Sequence, residues 1–293
     1  MTHDPAAHNT PSLARQMWQT LEPYHAMIYF APEARQAFVD AGLKGFWMGY
    51  FASRAAAIGP APAAVVTATF YNFHPTMVAR AIPDAWRFST PDRVLAARYQ
   101  AADAALRRLL DDRVSSVGLA EAAGLARSAC GACAVAGRAL FAGHTSLPWP
   151  DEPHMVLWHA TTLLREYRGD GHVAALLAEG LDGCEAHITQ VAAGRAPREA
   201  IQPHRGWSDE EWAAAEERLR RRGWLNAAGA LTDRGRLGRQ AVEGRTDALA
   251  MPPWEYLGVE RSARLRELVW PLSDAIVRQG GVPMPNPLGL SWP

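Results

Sequence analysis

The densest group of side chains able to do chemistry is His154, His159, Arg165, Glu166, Arg168, Asp170 and His172. On a helix opening near Glu152, His159, Thr162 and Glu166 share one face. Imidazole exchanges protons most readily near neutral pH, so His159 and His172, with Asp170, are the candidate catalytic acid–base groups. Arg165 and Arg168 suit an anion, because a guanidinium offers paired donors to carboxylate or phosphate. Arg168-Gly169-Asp170-Gly171 has the composition of a turn. Such a turn, opening a new helix at His172, would add free backbone N–H groups to the anion site. The plain alternative is a solvated helix end capped by Asp170.

A second group lies earlier: His25, Trp47, Tyr50, Arg54, Tyr71, Asn72 and His74, to which Trp149 can be added. Phe46-Trp47-Met48-Gly49-Tyr50-Phe51 is aromatic on every side, so its helix is fully buried or lines a cavity. A lone histidine is more often a core or surface residue than a ligand. If two halves pack face to face, both groups meet in a cleft, where ligand sites commonly form. The expected ligand is then anionic or aromatic, and whether it is transformed is open.

Metal chemistry draws weaker support. Cys130-x-x-Cys133 and Cys184-x-x-His187 have Cys3His spacing, but both pairs fall in helical patterns rather than in the turns that hold zinc, so no metal is favoured. Strand-loop-helix phosphate loops, nucleophile elbows and His-Glu-x-x-His are absent. Nothing local identifies a cofactor.

These groups must be positioned by a chain of 293 residues, 48% apolar and 20% charged, with no formal net charge. That length holds two modest cores. Lys44 is the single lysine, which weakens any lysine-based mechanism. Three cysteines give no disulfide framework. Met1–Thr10 is polar, without the apolar core of a leader, and no apolar run has membrane-spanning length. A cytoplasmic protein with no membrane partner is expected, and a homodimer is compatible.

Periodicity predicts helices over 11–30, 32–41, 45–57, 61–73, 75–81, 90–111 and 117–142, then 152–168, 171–179, 182–193, 208–222, 232–249 and 259–278. An offset of about 119 residues relates Ala79-Arg80-Ala81-Ile82 and Ser89 to Arg198-Glu199-Ala200-Ile201 and Ser208, with both serines read as N-caps. The expected fold is mainly α: two winged-helix-like halves related by internal duplication, with a small β-hairpin wing at 224–232. The boundaries are 1–143 for the first half, 144–151 for a linker, 152–258 for the C-terminal winged-helix domain and 259–293 for a helix and extended tail.

Two resemblances bear on this. Trp149-Pro150-Asp151-Glu152-Pro153-His154, Leu164 to His172, Gly45 to Phe51 and Thr69 to His74 resemble a group of actinobacterial proteins described as helix-turn-helix-like. That resemblance implies a helical, winged-helix-like fold and carries over no activity and no catalytic residue. Residues 207–246 resemble winged-helix regulators of the multiple-antibiotic-resistance type, which implies that the helix from Ser208 reads DNA. Its first turn is Asp209, Glu210 and Glu211, which would face a polyanion, so DNA is disfavoured.

The expected function is therefore a small-molecule-binding protein, with or without catalysis, using a cleft between the halves. A ligand-responsive winged-helix transcription regulator is the alternative, with Arg218, Arg220, Arg221, Arg222, Arg234, Arg236 and Arg239 as its basic face. A tandem winged-helix DNA-repair glycosylase is the third.

Overall fold

Helix is the only extended regular structure in the computed structural model, which describes residues 11–293. The first stretch holds α1 (Leu13–Ala26), α2 (Pro32–Asp40), α3 (Gly45–Ala55), α4 (Ala63–Thr69), α5 (Pro75–Ala79) and α6 (Ala85–Phe88). Then come α7 (Pro91–Leu110), α8 (Val117–Cys130), α9 (Ala139–Thr145), α10 (Pro153–Ala178) and α11 (Gly183–Ala192). The chain ends with α12 (Arg198–Ile201), α13 (Asp209–Arg221), α14 (Asp233–Leu249), α15 (Pro252–Leu257) and α16 (Val259–Arg278).

Prolines open many of these helices. Pro32, Pro91 and Pro153 stand in the first turn, where a missing N–H costs nothing. α10 organises the rest. Every residue from His154 to Leu164 is buried, so this helix is covered on all sides by α1, α7, α8, α9 and α14. The main core pools Met17, Tyr24, Leu106, Leu157, Trp158, Leu265 and Ile276, from both ends and the middle of the chain. Burying a Leu- or Met-sized side chain stabilises by about 1.5–3 kcal/mol, so this cluster dominates the fold. A second cluster gathers Phe51, Phe70, Phe73 and Ile82, and a third gathers Trp212, Leu219, Trp224 and Val242.

The structure corrects the winged-helix expectation. Between α13 and α14 the described residues form one isolated bridge, Leu225 to Leu231, around a turn in which Asn226 and Ala230 are hydrogen-bonded. The reason is spatial. Thr232 already caps α14 and Arg222 already ends α13, so too few residues remain for a ladder. Without a wing, the two-winged-half duplication also falls. α7 is 20 residues long, packs mainly into the main core and runs into a 3₁₀ turn, Asp111–Ser115, whereas α13 is 13 residues long and packs into the third cluster. The N-cap of α7 is Thr90 rather than Ser89.

A further correction concerns Arg168 to Gly171, expected as a turn. α10 passes straight through it. Two glycines inside a helix cost roughly 1 kcal/mol each, so packing must compensate. A Cβ on Gly171 would lie 2.9 Å from Arg138 Nη1 and 3.2 Å from Leu249 Cβ. Arg138 donates to the carbonyls of Tyr167 and Leu249, tying α10 to the end of α14. The glycine is there for that close approach, not for a turn.

No described helix is long and apolar enough to cross a membrane. The polar segment Met1–Thr10, read above for a leader, lies outside the described residues.

Candidate functional site

A cleft of about 260 Å³ opens where α1, α3, α10, α11 and α14 converge. Seven arginines and four carboxyl groups line it: Arg15, Arg54, Arg165, Arg168, Arg195, Arg205 and Arg239 against Glu22, Glu166, Asp170 and Glu243. The cations are in excess. Trp18, Tyr50, Phe70 and Phe73 supply flat apolar surface beside them.

The floor is an ion chain joining α3, α10 and α1. Arg54 Nη2 lies 3.4 Å from Glu166 Oε1, and Arg54 Nη1 donates to the Tyr50 hydroxyl at 3.0 Å. Arg165 donates to Glu166 at 2.8 Å and to Glu22 at 3.2 Å. Burial raises the carboxyl pKa of Glu166, but Arg165 and Arg54 outweigh it and hold the group down at about 2. Glu22 has only the Arg165 edge and the Trp18 N–H, and there burial wins and its pKa rises. One guanidinium is thus shared between an ionised carboxylate and one that holds its proton more tightly.

A second chain borders the floor. Arg168 donates to Asp247 at 2.7 Å, and Arg15 grips both Asp247 and Glu243. Arg239 reaches Glu243 at 3.0 Å. His172 Nδ1 is 2.9 Å from the Thr246 hydroxyl, and burial pushes its pKa to about 4.

Arg205 differs from these. It is buried, its Nη groups donate only to the carbonyls of His204 and Pro287, and no carboxylate pairs with it among the described residues. Its Nε has no acceptor, and the same holds for Arg54 Nε and Arg168 Nη1. Burial lowers the Arg205 pKa, and the charges of Arg54 and Arg165 add to that. The same three guanidiniums act on Tyr50. Burial raises its phenol, yet Arg54, Arg205 and Arg165 bring it below the ordinary value. Asp170 moves the other way: burial lifts it to about 6, although the Phe141 N–H donates to it at 2.9 Å.

Of the residues proposed from sequence, the structure brings Tyr50, Arg54, Tyr71, Asn72, Arg165, Glu166, Arg168, Asp170 and His172 to this cleft. It puts the rest elsewhere. His25 bridges the Thr162 and Tyr29 hydroxyls in the core, stacked 6.0 Å from Trp158. His159 bonds the Tyr99 hydroxyl at 2.6 Å under the edge of Trp149, and burial holds its pKa at about 4. His154 pairs with Asp103 at 2.5 Å. Trp47 packs on Phe51 and Phe73, and His74 caps α5 while contacting Glu211 and Trp207. The pocket of histidines and aromatics drawn between two winged halves is therefore not the one assembled. Arg15, Glu22, Arg205 and Glu243 were not anticipated, because their places in the cleft depend on contacts far apart in sequence, and Arg239, expected on a basic face, lines the cleft instead.

The low-ranked zinc set separates. Cys130 and Cys133 pack against Phe141, Leu163 and Tyr167, while Cys184 sits in the third cluster. Among the described residues no group of three or more His, Cys, Asp or Glu could hold a metal ion.

The alternative reading as a winged-helix regulator falls with the wing. Ser208 and Glu211 form a capping box at the start of α13, Asp209 binds Arg198 at 2.6 Å, and Glu211 binds His74 at 2.8 Å. Of the seven arginines proposed as a basic face, Arg218, Arg220, Arg222, Arg236 and Arg239 pair with carboxylates. The glycosylase reading rested on the same tandem winged scaffold and goes with it.

Fold and site define an all-α protein with an arginine-rich internal cleft. The chain matches the model of a helix-turn-helix family over residues 14–283, and it belongs to that family. No curated protein and no solved structure shows significant similarity to it.

Proposed function

We propose that the cleft is an anion-recognition site for a molecule carrying a carboxylate or phosphate beside a flat apolar body. The observation that carries this is Arg205, a buried guanidinium with no carboxylate, facing a cleft whose other arginines also leave nitrogens without acceptors. An unpaired buried charge is costly, and an incoming anion offsets that cost with charge-assisted hydrogen bonds. Arg54, Arg165 and Arg168 are held in place by their carboxylates, so the ligand meets guanidiniums already ordered. Phe70 and Phe73 flank them and fit the apolar part.

A melting screen with ligand pairs that differ only in charge tests this reading. Phenyl phosphate is compared with phenol, and succinate with succinamide. A ligand at 100 times its Kd stabilises by about 2.7 kcal/mol, so the anions raise Tm, and added salt shrinks the shift. Equal stabilisation by the neutral partners refutes the proposal.

A further inference from the structure

A second cavity, also of about 260 Å³, lies on the other side of Tyr50, between α2, α3 and the middle of α7. Its walls are mostly apolar, with Tyr29, Tyr50 and Ser53 as uncharged polar groups, and among the described residues Arg35 and Arg98 are its only charged lining residues. Arg98 is 1% exposed, and none of its three guanidinium nitrogens has a hydrogen-bond partner among the described residues. The rings of Trp158 and Tyr29 lie 5.2 and 5.8 Å from its Cζ, which satisfies the charge only in part. Arg35 is exposed beside Phe46, and the exposed side chains of Phe46 and Val39 also line this cavity. A cation without an acceptor, apolar walls, exposed hydrophobic side chains and no acid in the lining describe a site for an amphipathic anion.

We infer that this cavity binds an apolar monocarboxylate, its carboxylate on Arg98 and its tail over Phe46 and Val39. At about 30 Å³ per water-sized group, the space takes roughly nine non-hydrogen atoms, close to the size of octanoate. The head makes two parallel N–H···O bonds to a guanidinium that otherwise has none. The tail covers apolar surface now facing water. This site is separate from the arginine cleft and does not depend on the cleft's ligand.

Calorimetric titration of the full chain with octanoate, octanol and octylammonium tests it, using wild type, Arg98→Met, Val39→Glu and Arg205→Met. Octanoate is expected to bind wild type and Arg205→Met alike, at least about tenfold more tightly than octanol. Arg98→Met should erase the preference for octanoate while leaving octanol unchanged. Val39→Glu, on the exposed face of α2, keeps the fold and weakens octanoate by charge repulsion at the mouth. Phenyl phosphate binding in the cleft should be untouched by Val39→Glu, so failure of one site is not failure of the other. Octanol binding as tightly as octanoate in wild type overturns the inference whether or not Arg98→Met folds. So does an Arg98→Met protein that retains the octanoate preference.

Discussion

Arg54 and Glu166, 112 residues apart, meet in a buried pair in which one guanidinium nitrogen lies 3.4 and 3.5 Å from the two carboxylate oxygens. The contact joins α3 to α10 and sets the floor of the cleft. Removing one partner of a buried pair leaves the other charge uncompensated, which typically costs 3–5 kcal/mol. Glu166→Leu strands Arg54, leaves Arg165 with Glu22 as its one carboxylate, and should lower stability by about that much in urea unfolding. Glu166→Gln keeps the shape and an acceptor and should cost less. Equal stability of wild type and Glu166→Leu would remove the pair from the account.

Buried histidines make the protein acid-sensitive. Burial holds His144 and His187 at about 3, and His159 and His172 at about 4. In the unfolded chain they titrate near 6.5. As pH falls below that value the unfolded state takes up protons that the fold refuses, so stability drops from pH 6.5 toward 4. Asp170, raised to about 6, and Glu22, also raised, work in the opposite sense, but they are two groups against these four and against buried His25, which is lowered as well. The unfolding free energy from urea titrations should fall between pH 7 and pH 5 by several kcal/mol. A flat or rising profile would show that these imidazoles are not held neutral.

The same Asp170 gives binding a pH dependence. Its carboxyl lines the cleft, neutral below about pH 6 and ionised above. Sulfate does not titrate between pH 5 and 8, so a weaker sulfate affinity at pH 7.5 than at pH 5.5 reports the protein. Asp170→Asn should flatten that profile while keeping an acceptor for the Phe141 N–H. An unchanged slope in the variant would assign the effect to another group.

The C-terminal tail forms one wall of the cleft through Pro287, Leu288 and Gly289. Buried Asn286 holds it: its Oδ1 accepts from the Leu288 and Leu290 N–H groups, and its Nδ2 donates to the Leu290 carbonyl. Asn286→Ala should cost about 1–3 kcal/mol. It should also speed amide exchange at Leu288 and Leu290 ahead of the rest of the protein. Exchange as slow as in wild type would mean the tail is held by other contacts, such as Trp292 stacked 4.4 Å from Trp270.

Local signals were legible where they act locally. Pro153 stands in the first turn of α10, and Ser208, read as an N-cap, does cap α13. The resemblance reached the helix-turn-helix family, but the winged-helix identity attached to it was wrong, since no β-hairpin wing forms among the described residues. Gly169-Asp170-Gly171 misled, because the composition of a turn was overridden by Arg138 and Leu249, which no local pattern reveals. The expected wing failed for a similar reason: the helix caps on both sides consumed the residues a ladder needs. Arg165 and Arg168 could be read from sequence as candidates for holding an anion and Arg54 as a candidate site residue, but Arg205 was hidden. What sets it apart is a missing partner, a property of the folded chain alone.

The central claim is that the cleft binds an anion through Arg205, and calorimetric titration of wild type and Arg205→Met with sulfate at pH 5.5 tests it most directly. The account predicts saturable, salt-sensitive binding to wild type that weakens roughly tenfold or more in Arg205→Met. Equal affinity in the two proteins, or no binding to wild type, would contradict it.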